Sequence, residues 1–423
     1  MYFKENLRRF KDTTANYQCD GLIILGSRQA ETAALLIGAL RPQHVALILT
    51  LDTQQFKQEI CSFLVNDVDY LDQSIQEFGP ATNAYDTQEI YKLLRVIFDR
   101  WPTDCTYAVD VTGGTKPMTV GLAKAAYLLE LPTIYVASDY NEETNRIVKD
   151  TQRFTILPDP YVVFGDIEAE ESYRLANRQD YSGAHRIFEK LARREQMPDN
   201  LREHFRYLTM LTGTYADWDV FNLNGACQQI EKLIQFLNST KLPRLDKHKN
   251  VLKKQSTFLE RLNKTNADIN KAPFTILRDD LPTVLALLGS LYANAVRREK
   301  QGRYDFAALL LYRCLELMSQ RRLASHGVDA DKQRIKLYAG YKELQKRQDA
   351  FIKNYAITRI SETNKSRNKS ILAHGFRLIR SNEYNQFKEV VDELMERFFA
   401  TEGENLEEWK NDFTFIELDK VNL

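Results

Sequence analysis

The stretch Tyr107-Ala-Val-Asp-Val-Thr-Gly-Gly-Thr-Lys-Pro-Met118 decides the fold of the amino-terminal third. A short apolar run gives way to a glycine pair and then to an Ala/Leu-rich helical pattern, the signature of a strand turning into a helix. The glycines let the backbone turn sharply and approach a ligand closely. Open amides at a helix start favour an anion, and Pro117 suits a first helical turn. Thr112 and Thr115 add hydroxyls, and Lys116 adds a positive charge. The turn is neither common nucleotide fingerprint. GxGxxG is missing, and GxxxxGK[ST] fails because Pro117 follows Lys116, which disfavours ATP hydrolysis.

Outward from this turn, apolar runs at Gly21–Leu25, Val45–Leu51, Tyr107–Val111 and Thr133–Ala137 alternate with helical patterns near Ala30–Leu40, Gln88–Trp101 and Met118–Leu129. That alternation predicts a parallel sheet covered on both faces. Asn145–Leu157 is expected to close the domain with an extra strand. A second candidate ligand turn, Gly26-Ser27-Arg28, follows the first strand. In a doubly wound sheet the two turns can share one rim.

From about Ile167 helical periodicity dominates. Two segments resemble each other, Tyr173–Leu191 and Ala295–Tyr312, each a helix, a tight turn and a helix opening with Ala. Two copies about 120 residues apart read as recurring helix-hairpin chemistry rather than a solenoid. Lys241–Pro243 and the basic run Arg244–Lys254 predict a loop and a following helix, and Phe413–Leu418 a short strand or extended tail. The expected fold class is therefore α/β plus all-α. A Rossmann-like sheet spans 1–165, a helical connecting domain 166–282 and a helical bundle 283–423.

At 423 residues with 43% hydrophobic and 27% charged side chains, the chain fits two or three globular domains. The opening MYFKENLRRF lacks a signal-peptide core, and no apolar run approaches the roughly 20 residues that span a bilayer. A cytoplasmic protein without a membrane partner is expected. Five dispersed cysteines and six dispersed histidines form no CxxC or HExxH pattern, so no structural metal is expected. Fifty-eight basic and 58 acidic side chains cancel. Any nucleic-acid contact is thus confined to a cleft, and stable DNA binding is not expected.

The most suggestive chemistry lies in Arg367-Asn-Lys-Ser-Ile-Leu-Ala-His374. If the stretch is helical, seven steps of about 100° bring Arg367 and His374 onto one face, about 10 Å apart along the axis. Gly375 would end that helix, leaving His374 where the dipole favours imidazolium. A permanently charged arginine beside a histidine that titrates near neutrality suits phosphodiester chemistry without a metal. Arg321 and His326 form a competing pair with four residues between them, at the end of a core-like helix.

These motifs resemble a known family. Strand–Asp-Val-Thr-Gly-Gly-Thr-Lys-Pro-Met–helix is similar to the signature of the CARF (CRISPR-associated Rossmann fold) domain. Arg367-Asn368…Leu372-Ala373-His374-Gly375 resembles the Arg-x(4–6)-His motif of HEPN ribonucleases, its gap of six at the long end of the range. Their order resembles the accessory ribonucleases of type III CRISPR systems. The resemblance implies a homodimer whose CARF-like domains bind cyclic oligoadenylate as an allosteric activator, with cyclic tetra-adenylate the expected ring and no other cofactor. It implies a HEPN-like dimer that cuts single-stranded RNA without metal, leaving 2′,3′-cyclic phosphate and 5′-hydroxyl ends. Gly26, Ser27, Arg28, Thr112, Gly113, Gly114, Thr115 and Lys116 would contact the ligand. Arg367 and His374 would be catalytic, with Asn368 the polar neighbour of the arginine. Two further readings stay open. One is slow cleavage of the activator by Ser27, Thr112 and Thr115. The other is a ligand-sensing regulator without catalysis that binds DNA or a protein. Apolar faces of Phe306–Met318 and of 351–376 are the candidate dimer surfaces.

Overall fold

The computed structural model describes residues 2–64, 75–81, 83–143, 147–148, 150–195, 197–240, 247–268 and 273–418. The chain forms two compact units, Met1–Val163 and Phe164–Leu423. In the first, α1 (Tyr2–Thr13), β1 (Gly21–Leu25), α2 (Ala30–Leu40), β2 (His44–Thr50), α3 (Phe56–Phe63), β3 (Ile75–Ala81), α4 (Thr87–Arg100), β4 (Tyr107–Asp110), α5 (Lys116–Leu128), β5 (Thr133–Ala137) and β6 (Arg153–Leu157) follow in order. The sheet runs β3-β2-β1-β4-β5-β6, parallel except for antiparallel β6. Side chains of a strand alternate between faces, and here both faces are apolar. Leu22 and Ile24 pack with α1, α2 and α3, whereas Ile23 and Leu25 pack with α4 and α5.

The strands at 21–25 and 133–137 match the sequence reading, as does the helix at 30–40. The extra closing strand is present but shorter than expected, starting at Arg153, and residues 144–146 and 149 lie outside the described residues. Three elements went unread: β3, α1 and α3. β3 contains Gly79 and Pro80, which interrupt a strand pattern, and its place at the sheet edge is where a proline is tolerated. α1 is short and charged, yet it buries Phe10 against α2.

The second unit is helical. After α6 (Pro160–Phe164), four of whose residues belong to the first unit, come α7 (Asp166–Asn177), α8 (Tyr181–Ala192), α9 (Asp199–Asp219), α10 (Leu223–Ser239) and α11 (Lys249–Asp268). Then come α12 (Pro273–Asp279), α13 (Leu281–Lys300), α14 (Tyr304–Ser325), α15 (Leu337–Lys346), α16 (Thr358–Asn368), α17 (Ser381–Glu402) and α18 (Leu406–Phe413). One continuous core joins them from Ala169 to Leu418. The expected boundary at 282/283 therefore runs through shared packing. The expected loop at 241–243 and the start of the basic run lie outside the described residues, and α11 occupies the rest.

Both similar segments are helix hairpins, α7–α8 and α13–α14. Their turns need a left-handed residue, supplied by Gln179 (φ 68°) and Gly302 (φ 71°). The segment 414–418 is an extended tail, with Phe415 stacked on Tyr215 at 3.9 Å between ring centres. No helix among the described residues is long and apolar enough to cross a membrane.

Candidate functional site

In the first unit the strand order reverses direction between β1 and β4, which pair in parallel. Open sheets bind ligands at such a reversal, beyond the carboxyl ends of the strands. The turns after β1 and β4 meet there. A Cβ on Gly113 would come within 2.9 Å of the Leu25 carbonyl and of Ser27 Cβ, so only glycine allows this approach. Gly114 adopts φ 83°, conformational space that L side chains rarely enter.

Asp110 organises the β4 turn. It is 2% exposed and accepts from Thr112 N–H at 3.0 Å and Thr112 Oγ1 at 2.5 Å. Burial pushes its carboxyl up to about 6, although the Thr112 bonds favour the charged form. Thr112 Oγ1 also accepts from Val136 N–H at 2.8 Å. Thr115 caps α5 and donates to the Ala84 carbonyl at 2.7 Å. Both threonine hydroxyls expected to face a ligand are thus engaged within the fold. The exposed charges of the rim are Arg28 and Lys116. The N–H groups of Gly113 and Gly114 meet no acceptor among the described residues, so an anion could bind there. Ser27 Oγ accepts from Gln29 N–H at 3.1 Å.

In the second unit the expected helix through His374 is corrected. α16 stops at Asn368, and residues 369–379 fold back as a tight loop. Gly375 is not a helix end: a Cβ there would collide with the Lys369 backbone, so the chain crosses itself only because this residue is glycine. Ile371 N–H donates to the Arg377 carbonyl at 3.0 Å and Gly375 N–H to the Ser370 carbonyl at 3.0 Å. His374 N–H donates to the Asn368 carbonyl at 3.3 Å. The loop, rather than a helical face, sets His374 beside the helix end that carries Arg367.

Arg367 is half-buried, its guanidinium carbon 4.1 Å from the centre of the Tyr312 ring on α14. Nη1 donates to Asn368 Oδ1 at 3.2 Å, and Nε has no partner among the described residues. Burial, followed by nearby Glu316, pushes the Tyr312 phenol up to about 12, so the ring is neutral beneath the cation. The His374 imidazole is exposed. Residues 365–380 carry Lys365, Arg367, Lys369, Arg377 and Arg380 and no acid, which gives a neutral chain a local positive field. A fixed cation with open donors and an exposed imidazole on a basic loop can hold and protonate a phosphodiester.

The competing pair is held in an ion network, Arg321 inside the core and His326 at its surface. Arg321 is 9% exposed, pairs with Glu402 at 2.9 Å and donates to the Leu277 carbonyl at 2.7 Å. His326 Nε2 meets Asp349 Oδ2 at 2.6 Å, and Arg322 bridges Asp349 and Glu402 at 2.8 and 3.0 Å. Burial alone would raise the Asp349 carboxyl, but bonds from Arg322 and His326 hold it below the usual range.

The structure thus pairs Arg367, Asn368 and His374 in one unit, and Gly26, Ser27 and Arg28 with Thr112–Lys116 in the other. Tyr312 and Asp110 were missed as contributors. Asp110 stands at the mouth of the glycine turn, where a buried acid with no adjacent cation is a readable signal. Nothing in the sequence ties Tyr312 to Arg367, 55 positions away.

The Csm6 HEPN domain model matches residues 280–356 and 334–398, and the Csm6 6H domain model matches 164–259. The helical unit is thus Csm6-like in both its parts, and Arg367 and His374 fall within the HEPN match. The CRISPR system endoribonuclease Csm6 of Thermus thermophilus is 25% identical over 254 residues, 58% of this chain and 52% of that protein. The chain spans about half the length of this curated relative. Among solved structures, Enterococcus italicus Csm6 bound to cyclic hexa-2′-fluoro-hexa-dAMP overlays with a TM-score of 0.41 at 13% identity. It covers 94% of this chain and 98% of that one.

Proposed function

We propose, on the premise that this chain carries the 6H and HEPN domains of the Csm6 family, that it is a metal-independent endoribonuclease switched on by cyclic oligoadenylate in type III CRISPR defence. One observation carries the reading. Within the HEPN match, a backbone bond ties His374 to the helix end that bears Arg367, whose Nε has no partner among the described residues, while Arg321 and His326 are engaged by an ion network.

The 2′-hydroxyl of the substrate attacks its own phosphorus. The O2′–P bond forms and the P–O5′ bond breaks, giving a 2′,3′-cyclic phosphate and a 5′-hydroxyl. His374 removes the 2′ proton or delivers one to the departing O5′, and Arg367 stabilises charge on the non-bridging oxygens. One His374 per protomer makes a homodimer the natural catalytic unit, with a second imidazole serving the other proton transfer. The exposed apolar side chains Ile371, Phe376 and Leu378 on the loop, with Phe306 on the first turn of α14, favour such pairing.

The ring-shaped activator would lie over Gly26–Arg28 and Gly113–Lys116 of two protomers, its phosphates meeting glycine amides, Arg28 and Lys116. Cyclic tetra-adenylate is the ring we assign. We assign the sensor to 1–165, the connector to 166–282 and the ribonuclease to 283–423, the last two sharing one core, and a cytoplasmic location, where RNA is met. The test is cleavage of a fluorescent single-stranded RNA in EDTA with no ligand or with cyclic tri-, tetra- or hexa-adenylate. Cleavage with one ring and cyclic-phosphate product ends is expected. No cleavage with any ring would leave a ligand-binding regulator.

A further inference from the structure

The turns of the two hairpins that resemble each other in sequence take no part in the chemistry above, yet they face one another. Gln301 Nε2, after α13, donates to the Gln179 carbonyl, after α7, at 3.0 Å. Beside this contact opens a groove of about 660 Å³, within the range of small-ligand sites. Its lining carries Arg178, Arg298, Lys300 and Arg303 against Asp180 and Asp219. Both acids are occupied: Asp219 pairs with Arg297 and Arg298, and Asp180 caps α8 through Gly183 N–H at 2.9 Å. Arg178, Lys300 and Arg303 are exposed and make no ion pair among the described residues. The groove is therefore net cationic.

Two buried polar atoms in the lining have no partner, the donor Arg298 Nε and the acceptor Gln301 Oε1. Leaving such atoms unpaired is costly. A ligand offering both acceptors and donors, as phosphate oxygens and base or ribose hydroxyl groups do, would satisfy them. The groove also adjoins the catalytic loop. Two residues beyond Arg303, Asp305 accepts from Ile379 N–H at 3.1 and 3.2 Å and so closes the loop that bears His374. Five steps along the chain separate His374 from Ile379, a reach of at most about 18 Å. That is a span of a few nucleotides.

We infer that this groove is an extended subsite for the single-stranded RNA substrate, holding phosphodiesters beyond the one that is cut. The inference rests on the ribonuclease reading. The test uses the full-length triple variant Arg178→Ser/Lys300→Ser/Arg303→Ser with an RNA of about 20 nucleotides and one of about four. The variant should need about tenfold more long RNA for half-maximal cleavage, with kcat unchanged and short-RNA cleavage unaffected. Its binding should also depend less on salt, the log–log slope falling by about 2 for three lost phosphate contacts. Equal behaviour of both lengths in variant and parent would overturn the subsite. Anisotropy with a 2′-O-methyl strand of about 20 nucleotides, which lacks the nucleophile, separates the two claims. Binding by the parent that the variant loses upholds the groove even if neither protein cuts RNA. Cleavage in EDTA with no binding difference removes the groove and leaves the ribonuclease.

Discussion

Two Arg/His pairs lie within the HEPN match, and they are built for opposite purposes. Arg321 and His326 sit where every strong donor has a carboxylate or carbonyl partner, around Asp349 and Glu402. Arg367 and His374 sit where a helix ends, with one guanidinium edge on a tyrosine ring and the imidazole exposed. The same residue types at similar spacing serve as a brace in one place and as free chemistry in the other. What separates them is whether the donors are already spent. A phosphate cannot recruit an arginine whose bonds must first be broken inside a core.

The contrast can be broken most decisively at His374. His374→Ala should lower RNA cleavage by about 10²–10⁴-fold and leave the thermal midpoint unchanged, because the side chain is exposed. Single-turnover cleavage alongside a melting curve checks both halves. Asp349→Ala should do the reverse. It strands Arg322 beside a half-filled network, with Asp349 itself fully buried, at a cost of about 3–5 kcal/mol in unfolding free energy. Chemical denaturation should show that loss, while cleavage per folded molecule stays near the parent value.

Asp110 sharpens the comparison as a buried acid with no cation bonded to it. Its carboxyl is raised from 3.8 to about 6 by burial, whereas Asp349, bonded to Arg322, is lowered. Between those two values the folded state holds more protons at Asp110 than the unfolded state does. This group's contribution is therefore full below about pH 4 and falls as pH rises to about 6, by on the order of 3 kcal/mol. Asp110→Asn keeps an acceptor for Thr112, so it should be more stable than the parent at pH 7.5 and equal to it near pH 4. Unfolding at both pH values checks this.

The smallest effect is expected at Tyr312. Tyr312→Phe keeps the ring under Arg367 and should stay within about twofold of the parent. Tyr312→Ala should lose about tenfold in kcat, the scale of a partly desolvated cation–π contact. A KM increase without a kcat change would argue against a positioning role for the ring.

The sequence made the doubly wound half largely legible because buried parallel strands are short unbroken apolar runs, as at Gly21–Leu25 and Thr133–Ala137. β3 escaped because Gly79 and Pro80 interrupt it, and α1 because it is anchored chiefly through Phe10. The motif at 367–374 was legible as chemistry but not as shape. A seven-residue spacing fits a helix, and the fold-back that replaces it depends on Gly375 passing over Lys369, a long-turn contact that no periodicity reports. Thr112 and Thr115 looked like ligand donors because a hydroxyl's partner is invisible in sequence. Asp110, Val136 and Ala84 turn out to claim them.

The most direct test is cleavage of one single-stranded RNA in EDTA, with the activating ring, by His374→Ala and His326→Ala side by side, each scored per folded molecule. The account predicts that His374→Ala is inactive and fully folded, while His326→Ala is less stable and still cuts, leaving 2′,3′-cyclic phosphate ends. A folded, inactive His326→Ala beside an active His374→Ala would contradict it.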